Sequence, residues 1–493
     1  MMSRCMAKIL VFLCCGFITQ MMEGADKKNV VMIVADDLGR QLGCYGDPVV
    51  KTPNIDRLAA EGIRCTRAYC TTASCSPSRS VILSGLHNHA NGQLGLAHNV
   101  HHFAGYESVR SLPLLMTAAG YRTCRIGKLH VAPEYVAKFE FARDIGIQGA
   151  RNPIQMARNA KEWIEEKDSR PFFLYFCPTD PHRGPGPVDY ANHNEQPDFY
   201  AGVTAEKYDP AKIRVPEWLP DRPEVRRDLA EYYQSISRFD AGIGALIQSL
   251  HETNHWDDTV ILLLSDNGPP IPGAKTTLYE PGIHLPLIVR NPELTRHGTC
   301  DALITWADLV PTILEMCQIP APSGVTVQAV ENQGRESAKA TKAKTTYPFH
   351  GRSFLKDLAE EHPENSRDVF FSHTFHEVTM YYPMRAVRSG RYKLIWNIAH
   401  QLPFPFAQDL YQSAVWQETL NRNAPDELYG VRSVKSFLQR PEFELYDLEA
   451  DPGERTNLAS SGEHAATLKL LQEKLRKFQK ETDDPWLSKW EYE

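Results

Sequence analysis

From residue 29 to about residue 291, the chain alternates short apolar runs with longer segments in which apolar residues recur at helical spacing. Nearly continuous apolar strands separated by helices predict a mostly parallel sheet that is covered by helices on both faces. The predicted strands span residues 30–35, 121–126, 172–177, 260–265 and 285–290. The predicted helices span residues 54–61, 80–84, 112–119, 154–167 and 228–250. Ligands of such sheets bind beyond the carboxyl ends of the strands, so polar residues that follow a strand are candidate site residues.

The pattern changes after residue 320. Residues 321–347 are rich in Ser, Thr, Ala, Lys and Gln, which is typical of a mobile surface insertion. Beyond them, apolar runs at 369–373, 384–387, 392–397 and 443–446 precede a helical pattern at 464–480. This order predicts a smaller C-terminal α+β domain with an antiparallel sheet. We therefore expect a signal peptide (1–25), a large α/β domain (26–365) and a C-terminal α+β domain (366–493).

The overall composition and charge limit the classes of function that the chain can have. With 42% hydrophobic and 23% charged residues, the 493-residue chain is typical of a globular protein. Its formal net charge of −7 argues against a nucleic-acid partner, because proteins that bind nucleic acids usually carry a basic surface. Any anionic substrate must therefore be held by a local basic pocket.

The N-terminus has the features of an export signal. Arg4 and Lys8 precede an apolar run at residues 9–18, and small residues follow at Gly24 and Ala25. A bilayer span needs about 20 apolar residues, so we expect no stable membrane insertion. Lipid attachment at Cys14 or Cys15 is an alternative fate of this segment. Animal lysosomal proteins are normally glycosylated, but no Asn-x-Ser/Thr site occurs, so we expect a bacterial protein that is periplasmic or secreted.

Cys75 opens the string Cys75-Ser76-Pro77-Ser78-Arg79, which leads into a helical pattern. Pro77 is typical of a first helical turn, so Cys75 is predicted at a helix N-terminus beside free backbone N–H groups. Arg79, four residues later, would face the same pocket. A buried structural thiol is the simpler interpretation of a single cysteine, but the complete string rarely arises by chance. The 11 cysteines include no Cys-x-x-Cys pair, so a zinc module is not expected.

Two pairs of oxygen-bearing side chains each follow a predicted strand, namely Asp36-Asp37 and Asp266-Asn267. Either pair alone is also typical of a turn or a helix cap. Together, the pairs predict convergence on one hard cation. Because no cluster of His or Cys accompanies them, Ca²⁺ is favoured over Zn²⁺.

Cations and imidazoles follow further strands. Lys128 and His130 come after the strand predicted at 121–126, and His182 comes after the strand at 172–177. Lys275 lies 9 residues after Asp266. A histidine in such a position is more often a surface or capping residue. Two histidines and two lysines at one sheet edge predict a ring of donors for a tetrahedral anion.

These strings, in this order, resemble the type I sulfatase family of the alkaline phosphatase superfamily over about residues 29–486. The resemblance implies an alkaline-phosphatase-like fold for the large domain and oxidation of Cys75 to formylglycine, the nucleophile. It implies a sulfated saccharide as substrate and a formylglycine-generating enzyme as maturation partner. The metal ligands that it implies are Asp36, Asp37, Asp266, Asn267 and position 75. The groups that it implies for sulfate binding or proton donation are Arg79, Lys128, His130, His182 and Lys275.

Other strings are similar to the branch of the family that removes N-sulfate from non-reducing-end glucosamine in heparan-type chains. They lie at residues 172–176, 180–183, 376–380, 382–385 and 481–486. On this resemblance, the candidate sugar contacts are Asp180, His376, Glu377 and Arg385. Lys275 departs from the arginine often found in that branch.

Three alternatives remain open at this point. The first is an O-sulfatase that acts on another sulfated sugar. The second is a phosphodiesterase or phosphonate hydrolase. The third is an inactive carbohydrate-binding homologue in which Cys75 stays unoxidised. The sequence also leaves the oligomeric state open, with a homodimer as one candidate assembly.

Overall fold

A computed structural model describes residues 27–184, 186–322, 349–363 and 367–492. The predicted signal peptide lies outside these residues. The predicted insertion at 321–347 and the predicted domain boundary at 365/366 also lie outside them, except for residues 321 and 322. Within the described residues, no helix is long and apolar enough to cross a membrane.

An eight-stranded sheet forms the centre of the larger part of the molecule, in the order β4-β3-β5-β1-β6-β7-β2-β8. Every neighbouring pair is parallel except at β7, which is antiparallel to both β6 and β2. The mostly parallel sheet is therefore confirmed. Its strands are β1 Asn29–Ala35, β2 Ile63–Tyr69, β3 Arg122–Gly127, β4 Phe141–Ala142, β5 Phe172–Cys177, β6 Thr259–Ser265, β7 His284–Arg290 and β8 Gly298–Thr305.

The strands β1, β5 and β6 are buried at every residue, which explains why their sequences are continuously apolar. Of the large sheet, the sequence prediction missed β2, β8 and the two-residue strand β4. In β2, Arg64, Thr66 and Arg67 are only partly buried, and Asp301 of the edge strand β8 is also partly buried. Polar residues therefore interrupt the apolar runs on that side of the sheet, and the apolar pattern disappears.

Helices pack against the sheet in two groups, one containing α1, α5 and α6 and the other containing α2, α4 and α8. The long helix α6 contacts both α5 and α1. The helices of this part are α1 Pro53–Ala60, α2 Cys75–Ser84, α3 Asn88–Asn91, α4 Leu112–Ala118, α5 Pro153–Ile164, α6 Pro223–Glu252, α7 Glu280–Ile283 and α8 Leu309–Met316. The helix predicted at 80–84 begins earlier, at Cys75, so the cysteine is the first residue of α2.

The C-terminal part contains a four-stranded antiparallel sheet in the order β14-β11-β10-β9, as the sequence predicted. A separate two-stranded hairpin consists of β12 and β13. The strands are β9 Val369–His373, β10 Met384–Ser389, β11 Tyr392–Asn397, β12 Leu428–Tyr429, β13 Arg432–Ser433 and β14 Phe443–Asp447. The helices are α9 Gln408–Tyr411, α10 Ala414–Asn421, α11 Val434–Leu438, α12 Ala465–Glu481 and α13 Lys489–Tyr492.

The two faces of the C-terminal sheet bury different partners. One face packs Val387 and Leu394 against Leu471 and Leu475 of α12. On the other face, Phe371 and Ala386 belong to the same apolar core as the large sheet. The C-terminal sheet is therefore fixed against the larger part of the molecule by hydrophobic burial.

Arg385 lies inside this C-terminal part, in an ion pair with Asp484. Its side chain is fully buried, with Nε 2.5 Å from Asp484 Oδ2 and Nη2 2.9 Å from Asp484 Oδ1. Its Nη1 donates to the carbonyl oxygen of His373 at 3.0 Å. The predicted contact of Arg385 with a sugar stays a prediction. The guanidinium joins β10 to the segment that follows α12.

We predict that Arg385→Met lowers the free energy of unfolding by about 3–5 kcal/mol, because it leaves the Asp484 carboxylate buried and unpaired. Chemical denaturation followed by tryptophan fluorescence measures the change. Lys477→Ala, which removes the exposed ion pair with Glu481, is the control and should cost at most about 1 kcal/mol. Equal losses in the two variants would contradict a structural role for the Arg385–Asp484 pair.

Candidate active site

The two predicted oxygen pairs meet at one edge of the large sheet. Asp36 and Asp37 follow β1, and Asp266 and Asn267 follow the adjacent parallel strand β6, whose Ser265 is in register with Ala35. The Asp37 backbone N–H donates to Asp266 Oδ1 at 3.0 Å, and Asn267 Nδ2 donates to Asp37 Oδ1 at 2.6 Å. All four side chains are buried.

Cys75 lies beside these pairs at the N-terminus of α2. Its Sγ is 3.8 Å from Asp37 Oδ1 and, with carboxylate oxygens of Asp36 and Asp266, forms a group of atoms within 4.8 Å of one another. Burial raises the pKa of the Cys75 thiol well above its ordinary value. An unmodified Cys75 is therefore poorly suited to act as a thiolate nucleophile at neutral pH.

Three cations neutralise the buried carboxylates. Lys128 Nζ lies 2.5 Å from Asp36 Oδ2, Lys275 Nζ lies 2.9 Å from Asp37 Oδ2, and Arg79 Nε lies 2.8 Å from Asp266 Oδ2. Arg79 and Lys275 are almost completely buried, and Lys128 is 17% exposed. The structure thus brings the predicted donors together around Cys75.

The pKa values of Asp266 and Asp36 are shifted in opposite directions. Burial raises the pKa of Asp266 to about 7, and the neighbouring carboxylates of Asp36 and Asp37 add to the rise. For Asp36, burial also acts to raise the pKa, but the positive charge of Lys128 and other nearby cations outweighs it and holds the pKa well below its ordinary value. Bringing further positive charge to the cluster would favour the ionised forms of Asp36 and Asp266.

The donor set fits a hard divalent cation. Asp36 Oδ1 and Asn267 Oδ1 are buried and have no hydrogen-bond partner among the described residues. Asp36 Oδ1 has only a long ion pair with Arg79 Nη2, at 3.7 Å, and a buried oxygen without a hydrogen bond is costly unless a ligand satisfies it. Carboxylate and amide oxygens are the ligands preferred by Ca²⁺ and Mg²⁺. The fit therefore rests on the unpaired oxygens as well as on the number of acids.

His182 borders the cluster on its outer side. Its Nε2 is 3.4 Å from Lys275 Nζ and 3.7 Å from Asp37 Oδ2, and its Nδ1 is 2.6 Å from the Arg183 carbonyl oxygen. Because Nδ1 can only donate to a carbonyl, Nε2 is the atom left to exchange a proton with a bound molecule. Burial, with help from Lys275, lowers the pKa of His182.

His130 lies near Lys128 and contacts His98, with His98 Nδ1 and His130 Nε2 2.5 Å apart. Burial lowers the pKa of His130 well below its ordinary value, and the positive charge of Lys128 lowers it further. The sequence analysis missed His98, an exposed residue in a loop with no strand before it.

Asp409 is the second residue that the sequence analysis missed. It lies on the short helix α9 of the C-terminal part, and its Oδ2 is 3.0 Å from Lys275 Nζ. The two residues are 134 positions apart in the chain, and no motif surrounds Asp409. Only the tertiary structure brings this carboxylate to the site.

Asp180 is buried in ion pairs with Arg238 and Arg151. Its carboxylate is fully buried and accepts from Arg238 Nε and Nη2, each at 2.6 Å, and from Arg151 Nη1 at 3.1 Å. These hydrogen bonds fix the loop that carries His182 against α6, and the predicted contact of Asp180 with a sugar stays a prediction.

His376 and Glu377 join the C-terminal part to the site. His376 Nδ1 lies 2.8 Å from Oγ of Ser74, the residue immediately before Cys75. The Gln408 backbone N–H donates to Glu377 Oε1 at 2.8 Å, so Glu377 holds the start of α9. Both residues lie near the site, and their predicted contact with a sugar stays a prediction.

This fold and this cluster define a class of enzyme. The sulfatase family model matches residues 28–319, more than half of the chain. The protein belongs to the sulfatase family. Members of this family generally use a formylglycine and a divalent metal ion, and the clustered acids with Cys75 are consistent with such a centre.

Two relatives align with nearly the whole chain. The chain is 37% identical to human N-sulphoglucosamine sulphohydrolase over 482 residues, which cover 94% of this chain and 92% of the human protein. It is 25% identical to an ulvan-active sulfatase of Formosa agariphila, over 94% of this chain and 75% of that relative.

Solved structures share the fold. One is a protein in complex with its substrate D-glucosamine-2-N,6-O-disulfate, with a TM-score of 0.63 and 20% identity over 93% of this chain and 99% of that chain. Another is a phosphonate monoester hydrolase of Agrobacterium radiobacter, with a TM-score of 0.64 and 18% identity over 92% of this chain and 96% of that chain.

We predict that the oxygen cluster binds a divalent cation and that binding stabilises the fold. A ligand at a hundredfold excess over its Kd contributes about 2.7 kcal/mol, so adding Ca²⁺ to chelator-treated protein should raise the melting temperature. Asp266→Ala should abolish the rise, and Glu252→Gln, which alters an exposed ion pair, should preserve it. No change in melting temperature on adding any divalent ion, with no ion found by elemental analysis, would refute the site.

Proposed function

We propose that the protein is a sulfamidase, which hydrolyses the N-sulfate group of a non-reducing-end glucosamine in heparan-type saccharides. The observation that carries the proposal is the 37% identity to human N-sulphoglucosamine sulphohydrolase across almost the full length of both chains. The ring of Arg79, Lys128, His182 and Lys275 around Cys75 supports it, because a sulfonate needs several donors.

In this reaction, different residues would bind the cation and the sulfonate. Asp36, Asp37, Asp266 and Asn267, with position 75, would hold Ca²⁺. With the carboxylates engaged by the cation, the N–H groups of Arg79, Lys128 and Lys275 are left for the sulfonate oxygens. When present, the cation supplies positive charge that polarises the sulfonate, and formylglycine at position 75 supplies the attacking oxygen.

We propose that a histidine imidazole donates a proton to the leaving nitrogen. An amine anion is a poor leaving group, so the nitrogen must be protonated as the bond to sulfur breaks. His182 Nε2 is adjacent to Lys275 and free of a backbone partner, which favours it, with His130 as the second candidate.

The competing function is an O-sulfatase that acts on another sulfated sugar. Lys275 favours this alternative, because the branch that cleaves N-sulfate often carries arginine at that position. A phosphonate hydrolase is less favoured, because the likeness to such an enzyme is confined to the fold. An inactive carbohydrate-binding homologue is less favoured, because binding a sugar does not require Arg79, Lys128 and Lys275 around the buried Cys75.

Export and maturation complete the proposal. The apolar run near the N-terminus, preceded by Arg4 and Lys8, supports export to the periplasm or the medium. We further propose that a formylglycine-generating enzyme oxidises Cys75. A homodimer is the proposed assembly to test by light scattering.

Cys75 gives the first test of this function. In protein that is co-expressed with a formylglycine-generating enzyme, mass spectrometry of the peptide around Cys75 should show the aldehyde. Cys75→Ala should bind the substrate without turning it over. Turnover that persists in Cys75→Ala would exclude position 75 as the nucleophile.

A substrate panel gives the second test. N-sulfoglucosamine should be cleaved faster than 6-O-sulfated or 2-O-sulfated sugars of the same size. His182→Ala should lower kcat by about 10²–10⁴, the usual effect of losing a general acid. His255→Ala, at a histidine on the far side of the domain next to Asp258, is the control and should keep kcat. Rapid cleavage of an O-sulfated sugar with N-sulfoglucosamine left intact would replace the sulfamidase by the O-sulfatase.

A further inference from the structure

Asp409 places a negative charge beside Lys275 and His182, two of the proposed donors for the substrate anion. Its Oδ2 accepts from Lys275 Nζ at 3.0 Å, and one of its oxygens lies within 4.8 Å of both a His182 ring nitrogen and an Asp37 oxygen. The other oxygen, Oδ1, accepts from the Leu410 backbone N–H at 2.9 Å. The carboxylate is therefore held in one orientation, and each oxygen keeps a second lone pair for a bound molecule.

The side chains of the site form two levels. Asp37 and Lys275 are 0% and 1% exposed, whereas Asp409 and His182 are 21% and 25% exposed. Asp409 and His182 therefore lie on the outer level, towards solvent. Cys75, which would carry the nucleophile, is itself buried on the inner level beside Asp37, so the sulfonate belongs there and the outer level meets the group that leaves.

The leaving groups of the two candidate reactions differ in charge. Hydrolysis of a sulfamate, R–NH–SO₃⁻ + H₂O → R–NH₃⁺ + SO₄²⁻, breaks the S–N bond and leaves its electron pair on nitrogen. That nitrogen takes up two protons, so the organic product is a cation at neutral pH. Hydrolysis of a sulfate ester, R–O–SO₃⁻ + H₂O → R–OH + SO₄²⁻ + H⁺, releases a neutral alcohol. Only the first leaving group gains from a nearby carboxylate.

We propose that Asp409 is a specificity-determining residue that favours nitrogen over oxygen as the leaving atom. Its carboxylate accepts a hydrogen bond from the sulfamate N–H and balances the positive charge that develops on the departing amine. The proposal rests on the proposed function and extends it to the choice between N-sulfate and O-sulfate.

The C-terminal part positions Asp409 for this task. Glu377 Oε1 accepts the backbone N–H of Gln408, the residue before Asp409, at 2.8 Å. The Lys275 ammonium, which contacts both Asp37 and Asp409, links the outer carboxylate to the inner cluster. Because Lys275 keeps its buried partner Asp37 when the Asp409 charge is lost, the loss is expected to act mainly on the outer level, where the leaving group lies.

The test compares selectivity instead of activity alone. The kcat/KM values for N-sulfoglucosamine and for 4-nitrophenyl sulfate are measured with the formylglycine-bearing, Ca²⁺-loaded wild type, Asp409→Asn and Asp409→Glu. Asp409→Asn should lose about 10- to 100-fold on N-sulfoglucosamine, the value of one hydrogen bond to a charged group. Its kcat/KM for 4-nitrophenyl sulfate should change by less than about threefold, since the neutral or anionic leaving oxygen gains nothing from the carboxylate. Asp409→Glu should keep part of the selectivity.

The control is Glu418→Gln, which removes an exposed acid from the neighbouring helix α10 and should leave both kcat/KM values unchanged. Equal losses of Asp409→Asn on both substrates would overturn the proposal and leave the sulfamidase function standing. A wild type that cleaves 4-nitrophenyl sulfate but not N-sulfoglucosamine would overturn the proposed function and this inference with it.

A measurement on the wild type covers the case in which Asp409→Asn does not fold. Glucosamine, whose amine is cationic, should inhibit the wild type at least several-fold more strongly than the neutral N-acetylglucosamine. Equal inhibition by the two sugars would show that no carboxylate serves the amine and would overturn the proposal.

Discussion

The structure depends on the burial of three carboxylates at the ends of two adjacent parallel strands. Asp36, Asp37 and Asp266 are withdrawn from water, and an isolated buried carboxylate is very unfavourable. Lys128, Lys275 and Arg79 each reach one of them from a different segment of the chain. The need to neutralise this charge therefore fixes the positions of the loops around the site. It also brings together the N–H donors that bind the sulfonate in the proposed function.

The same constraint explains why the central strands of the fold could be predicted from the sequence. Strands β1, β5 and β6 are buried on both faces, so their residues are apolar without interruption, and the polar residues after them mark the sheet edge. The Cys75 string and the two oxygen pairs are local patterns next to these strands. In contrast, β2 carries Arg64 and Arg67 at partly buried positions and gave no apolar run.

What the sequence did not disclose depends on contacts between distant segments. Asp180 and Arg385 are charged residues within strings that resemble a family branch, yet each is buried in an ion pair, with Arg238 and with Asp484. A charged residue in a motif does not reveal whether its partner is a substrate or another side chain. Asp409 shows the reverse case, since it lies in no motif and still contacts Lys275.

The C-terminal sheet completes the site as well as the fold. Its inner face shares the apolar core of the large sheet, so its loops are held at a fixed distance from the ends of β1 and β6. From these loops come His376, which contacts Ser74 next to Cys75, and Asp409, which contacts Lys275. The inner level of the site is thus built by the large sheet, and part of its outer level by the C-terminal part. In the proposed reaction the inner level meets the sulfonate and the outer level meets the leaving group, so that proposal assigns the chemistry and the choice of substrate to different parts of the chain.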